Sequence, residues 1–385
     1  MEELALPALF LLLEWGTYFR STILFIMKQA IRLLLLLLLF SSCLYNPRRE
    51  PKPVSSIVKV TVSQPEAMDI ASRIEEAVNN NNANAYLSLF DPQFVANEVN
   101  LMHATKLNAE DVSALLPSAV DTSFLGPSRY KGHYQFVKRE IRDSLQMLIF
   151  RMYTPGFVDY HLYVLNKREN NPCLIEVFSF LNNSSLTKRL AAIFRAKTQG
   201  ANNELQYIVK ENKINSMLIE RRYEEAYTNV WELLSNDTSR KASIDLLLRT
   251  LCYVDPSQAA KEWEGVTATQ ASDYLLNLVI GEKTGDYSRA HRCITVLHQI
   301  FGDSFLDFYS GRLYREQKNY ADAIGALTNL YEQFPLFDDG ILELIRAYYE
   351  SGNSAEANRW IKVYKETLDA DQGKLKILIA EKLRR

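Results

Sequence analysis

Two side chains in the run Phe157–Val158–Asp159–Tyr160–His161 could work together as a general acid and base. Alternate residues of an extended strand share a face, so Asp159 and His161 would stand side by side. A carboxylate beside an imidazole can take a proton from a bound small molecule or return one. Phe150 and Tyr163 fall on the same face of the expected sheet and would line a shallow pocket with the pair. Paired or solvated surface groups leave the same pattern. Nothing else in the chain adds to catalysis: there is no glycine-rich phosphate loop and no nucleophile elbow. The sequence therefore reads as non-enzymatic, with a small-ligand-binding or weakly enzymatic use of Asp159 and His161 as the alternative.

Metal and redox chemistry find no pattern either. The cysteines, Cys43, Cys173, Cys252 and Cys293, form no CxxC pair, and His103, His133, His161, His291 and His298 show no metal-ligand spacing. No metal and no cofactor is expected. A net charge of −2 over 385 residues gives no case for nucleic acid.

The elements that would carry Asp159 and His161 are strands. After Gly126–Pro127 the pattern gives four, over His133–Ile141, Leu145–Tyr153, Phe157–Lys167 and Cys173–Leu181, with links short enough for an antiparallel meander. If Pro155–Gly156 is a two-residue turn, Leu145, Met147, Ile149, Val158, Tyr160, Leu162 and Val164 share the face that packs on helices. Gln146, Phe150, Met152, Asp159, His161 and Tyr163 then share the other, under a neighbour or lining a pocket. Helices are expected over Glu66–Asn79, Ala83–Phe90 (stopped by Asp91–Pro92), Ala109–Leu116 and Leu186–Ala196. Residues 57–198 thus read as an α+β domain with a four-stranded antiparallel sheet. In element order it resembles the cystatin or NTF2-like cone, and Phe150–Arg151–Met152–Tyr153 followed by Asp159–Tyr160–His161 resembles uncharacterised secreted bacterial domains that precede repeats.

From Phe305 to Ala370 a skeleton returns after 34 residues: Gly311 maps onto Ile345, Tyr314 onto Tyr348, Ala323 onto Ala357 and Leu327 onto Ile361. Weaker copies extend it backwards through Tyr223–Ala226, Ala260 and Tyr287–Ala290, so that alanines recur at steps of 34, 30, 33 and 34. A small residue lets one helix settle against its partner, and a leucine four positions on fills the groove. With Gly311, Tyr314, Ala323, Leu327 and Pro335 at consensus positions, the stretch resembles the tetratricopeptide repeat. The consensus Trp is absent; Asp307 and Ile341 take its slot. Residues 203–385 are expected to form an all-α superhelix of about five helix pairs, closed by a capping helix over Gly373–Leu383. The resemblance puts Phe305, Phe308, Tyr309, Arg312, Arg315, Leu342, Arg346 and Tyr349 on the concave wall. Aromatics with arginines suit a groove for a protein or peptide partner.

The N-terminus supplies the last expectation. Lys28 and Arg32 precede seven leucines, Leu33–Leu39, and then Phe40–Ser41–Ser42–Cys43, which resembles a bacterial lipobox. Translation from Met27 and lipidation at Cys43 would anchor the protein. The competing reading, a transmembrane helix over residues 21–40, places Lys28 and Arg32 inside the bilayer at about 2.5–3.5 kcal/mol each. Residues 1–43 are then signal or anchor, and the proline-rich residues 44–56 a tether. The expected protein is a non-catalytic scaffold, outside the cytoplasm on the periplasmic side of the outer membrane or the cell surface. A glycan-uptake surface lipoprotein is the other reading that such repeats allow.

Overall fold

The computed structural model describes residues 62–385, apart from 121–122, 143–144, 169–170, 201, 237–239, 265–267, 369 and 384–385. Met27, Cys43 and the tether lie outside the described residues.

Four helices lead into the sheet: α1 Gln64–Asn79, α2 Ala83–Leu87, α3 Pro92–His103 and α4 Ala109–Ala119. Local chemistry sets their starts. Ser63 and Glu66 form a capping box, the Ser63 amide donating to Glu66 Oε2 at 2.8 Å. Asn108 and Asp111 do the same for α4. The expectation at Asp91–Pro92 needs correction. Asp91 accepts from the Gln93 and Phe94 amides, so the dipeptide opens α3 instead of ending a helix.

The sheet is an antiparallel meander in the order β1 His133–Arg142, β2 Leu145–Thr154, β3 Phe157–Arg168, β4 Asn171–Ser179, with helix α5 (Leu186–Gln199) following. A two-residue strand the sequence did not announce, β5 Ser184–Ser185, pairs with Phe178 and Ser179, making five strands among the described residues. Thr154 pairs with Phe157 across Pro155–Gly156, and Gly156 has φ 89°. That fixes the two faces as the turn implied. Their roles are reversed, however. The Phe150–Asp159–His161–Tyr163 face lies against the N-terminal helices, with Tyr86 of α2 edge-on to Tyr163. The face carrying Tyr160 turns to the repeats, where Tyr160 stacks on Phe301 at 3.8 Å. The free edge of β1 is closed by α1: Asn79 bonds both backbone groups of Tyr134, and Glu75 accepts from the Phe136 amide.

Helical hairpins follow: α6 Asn202–Ile219 with α7 Tyr223–Asn236, α8 Arg240–Val254 with α9 Pro256–Glu262, and α10 Ala271–Thr284 with α11 Tyr287–Phe301. Then come α12 Asp307–Glu316 with α13 Tyr320–Gln333, α14 Asp338–Glu350 with α15 Ser354–Glu366, and a last helix, α16 Gln372–Leu383. The second helix of each pair buries one alanine: Ala226, Ala259, Ala290, Ala323 and Ala357. In α9 this is Ala259, one position before the alanine that the period suggested, because Asp255 caps the helix and sets its phase. Gly311 shows why small residues recur: a Cβ there would lie 2.4 Å from Leu327 Cγ.

The described residues belong to one compact unit. The hairpins wrap the sheet, and contacts run along the whole series. Tyr130 donates to Glu220, Phe157 stacks near Tyr253, Arg249 donates to Asn182 and Tyr153 donates to Asp339. Lys131 pairs with Asp371, just before α16.

Candidate functional site

Asp159 and His161 do meet. His161 Nε2 lies 3.1 Å from Asp159 Oδ2, and both residues are buried. The other neighbours of Asp159 are donors: Ser179 Oγ at 2.7 Å, the Tyr160 amide at 2.7 Å and the Leu181 amide at 2.8 Å. A carboxylate so surrounded takes the Nε2 proton as a further hydrogen bond, which leaves Nδ1 as an acceptor for the Tyr134 hydroxyl at 2.9 Å. Tyr134 is 2.8 Å from the Tyr163 hydroxyl, to which Tyr86 donates at 3.0 Å. The result is an ordered chain, Tyr86–Tyr163–Tyr134–His161–Asp159, sealed between sheet and helices. Burial raises the Tyr134 and Tyr163 hydroxyls well above their ordinary range, so they stay protonated donors.

The cavity beside this chain measures about 40 Å³ and is lined by Asp159, His161, Ser179, Asn182, Arg189 and Phe124, among others. That is room for a few water molecules; ligand pockets run to roughly 300–1,000 Å³. Phe150 and Tyr163, expected to line a pocket, are fully buried packing residues of this face. The arrangement satisfies and orients polar groups beside a cavity well below that range.

The second cluster sits where sheet meets repeats. Arg151 is 1% exposed and sets Nη1 at 2.7 and 2.6 Å from the two oxygens of Asp303. Its Nη2 donates to Gln135 Oε1 at 2.5 Å, and its guanidinium lies 3.8 Å above the Phe305 ring. Tyr160 donates to Asp303 Oδ2 at 2.9 Å. Asp303 also accepts from the Phe305 amide as cap of the 3₁₀ turn Ser304–Leu306. Around this pair Tyr153, His133, Phe305, Phe308 and Phe337 pack edge to face. Burial, and then the neighbouring Arg151 charge, pull the His133 imidazole down to about 3, so it is neutral there.

The residues expected on the concave wall divide into two groups. Phe305, Phe308 and Tyr309 are 0%, 3% and 5% exposed, and the first two pack against the chain's own Tyr153. Leu342 is buried within the last hairpin's core. Arg312, Arg315, Arg346 and Tyr349 stay partly open. They belong to a charged row: Arg312 pairs with Glu282 at 3.0 Å, while Arg315 and Arg346 both pair with Glu343, at 2.9 and 2.5 Å. Burial works to raise the Glu343 carboxyl; Arg315, Arg312 and Arg346 more than offset it and hold it low.

Arg151 and Asp303 were missed by sequence reasoning. Arg151 interrupts an apolar strand between Phe150 and Met152, which is a signal for a buried partner, but nothing local names a residue 152 positions away.

Residues 314–380 match the tetratricopeptide repeat family. No curated protein and no solved structure matches the chain.

Proposed function

We propose that this protein is a non-catalytic scaffold, held at a membrane by its N-terminal segment, that binds a protein partner along the open row of its repeats. One observation carries the reading. Arg312, Arg346 and Tyr349 stand part-exposed on the first helices of tetratricopeptide-type hairpins, next to groove positions the sheet already fills. Arginine and tyrosine are types that dominate binding hot spots, and acidic neighbours hold the arginines in place, Glu282 for Arg312 and the buried Glu343 for Arg346. The small cavity at Asp159 and His161 favours this reading over catalysis.

The membrane half of the proposal rests on residues 21–43 alone, with lipidation at Cys43 or a span over residues 21–40. Among the described residues no helix is long and apolar enough to cross a membrane. The side is outside the cytoplasm, at the periplasmic face of the outer membrane or at the cell surface.

A photo-crosslinking residue at position 349, compared with one at the half-exposed Trp231, tests the partner. The expected result is a discrete crosslinked protein from position 349, lost when Arg346→Glu is added. Identical products from both positions would sink the proposal. Labelling with a fatty-acid probe, abolished by Cys43→Ser, is the matching test of the anchor.

A further inference from the structure

Leu101 and Met102 stand side by side near the end of α3, 52% and 41% exposed. Other exposed apolar side chains among the described residues, such as Ile141, Trp231 and Ile377, stand singly in the sequence. The surroundings of the pair are cationic. The Thr187 hydroxyl donates to Met102 Sδ at 3.8 Å, which sets the pair beside the first turn of α5. Lys188 and Arg195 of that helix are an i, i+7 pair and so share a face. Burial, and then Arg195 and Lys188, pull the neighbouring His103 imidazole below its ordinary range. Lys106 is exposed in the loop that follows. Among the described residues no carboxylate acts on His103. Glu98, one turn back on α3, is 2% exposed and offers no charge to this surface.

An apolar tip ringed by positive charge is complementary to a surface that is negative outside and apolar within. We propose that the Leu101–Met102 end of α3 is a second membrane contact, dipping into an anionic lipid surface while Lys106, Lys188 and Arg195 meet its headgroups. Two side chains are too few for a protein partner, since a stable protein interface buries roughly 800 Å² on each side. They suffice against lipid because the N-terminal anchor holds the surface close, and a tethered second site needs little affinity of its own. The inference rests on the reading that residues 21–43 anchor the chain, and it adds which face of the body turns to the membrane.

The test uses the full chain with Met102→Cys, labelled with an environment-sensitive fluorophore. Ile377→Cys, 60% exposed on the last helix, is the control, and the chain without an added cysteine is the blank. Cys173, Cys252 and Cys293 are buried and do not compete for label. Each protein is floated with vesicles of phosphatidylcholine, with or without phosphatidylglycerol, that carry a nitroxide quencher on the acyl chain. The expected result is flotation of both labelled proteins, with strong quenching at position 102 on the anionic vesicles and little at 377. Lys106→Gln with Lys188→Gln should weaken the contact at 102 by roughly 25-fold, since each cation near an anionic surface contributes about fivefold. Added salt should weaken it without any variant, which guards against a misfolded one. Flotation with equal quenching at 102 and 377 would overturn the proposal and leave the anchor standing. A chain that does not float at all would sink both. A spectral shift at 102 that grows with protein concentration in the absence of lipid would make the patch a contact between copies instead.

Discussion

Arg151 and Asp303 face each other with both carboxylate oxygens within 2.7 Å of one guanidinium nitrogen, and through them a β-strand is pinned to the turn between two helical hairpins. Removing one partner leaves the other charge buried. Asp303→Ala should therefore cost about 3–5 kcal/mol, read as a lowered urea midpoint. Arg151→Met combined with Asp303→Leu should recover most of that loss, since apolar groups of similar size replace the pair without desolvating a charge. A double variant as unstable as the single one would show that the attraction itself holds the junction.

Gly311 offers a test of the repeats. Its missing Cβ leaves room for Leu327, and Gly311→Ala puts a methyl 2.4 Å from Leu327 Cγ. The overpacking should cost roughly 1–3 kcal/mol and lower Tm accordingly. Leu327→Ala on top of it should cost less than Leu327→Ala alone, because the added methyl then occupies space the leucine left. Strict additivity would place the strain elsewhere.

Glu98 is 2% exposed on α3, and its Oε2 has no hydrogen-bond partner. Burial raises its carboxyl from 4.5 to about 7. The folded state thus holds a proton that the unfolded state releases near 4.5. This contribution is whole below pH 4.5 and is lost as pH rises through 7. Glu98→Gln should flatten that slope and stabilise the protein at pH 8 by about 1–3 kcal/mol, with little effect at pH 4. Urea midpoints at several pH values decide it; a variant less stable at pH 8 would refute the assignment.

The thiols give a fourth outcome. Cys173, Cys252 and Cys293 are buried and free, and burial pushes them up to about 12, 12 and 11. None should react with a disulfide reagent at pH 8 in native buffer, while all three should react in denaturant. Rapid native labelling at any of them would mean local opening there.

What could be read in advance follows the range of the interactions. Alternation and the Pro155–Gly156 turn fixed which residues share a sheet face, because both are local. Which neighbour covers each face is not local: Asp159 and His161 look half-exposed as a pattern, yet Phe124 and residues of α4, α5 and α6 close over them. The alanine period announced the hairpins, since each packs on its sequence neighbour. Phe305 and Phe308 could be expected on a wall from the repeat pattern but not as residues the sheet covers, because the cover, Tyr153, lies some 150 positions earlier. Asp91–Pro92 misled for another reason: an Asp–Pro step suits the end of one helix and the start of the next equally well.

The buried chain at His161 closes with a prediction about protons. Asp159 occupies Nε2, so the proton should reside there and Nδ1 should be bare, accepting from Tyr134. Nitrogen-15 shifts of His161 report the two ring atoms separately. Tyr134→Phe removes the donor to Nδ1 and strands the Tyr163 hydroxyl, at a cost of about 1–3 kcal/mol. The proton should nonetheless stay on Nε2, because Asp159 and not the tyrosine chain fixes the tautomer. Asp159→Asn reverses the logic: an amide can turn its NH₂ toward the ring, and the proton is then free to move to Nδ1. If Tyr134→Phe shifts the tautomer and Asp159→Asn does not, orientation runs from the tyrosines inward, and Asp159 is only a satisfied acceptor.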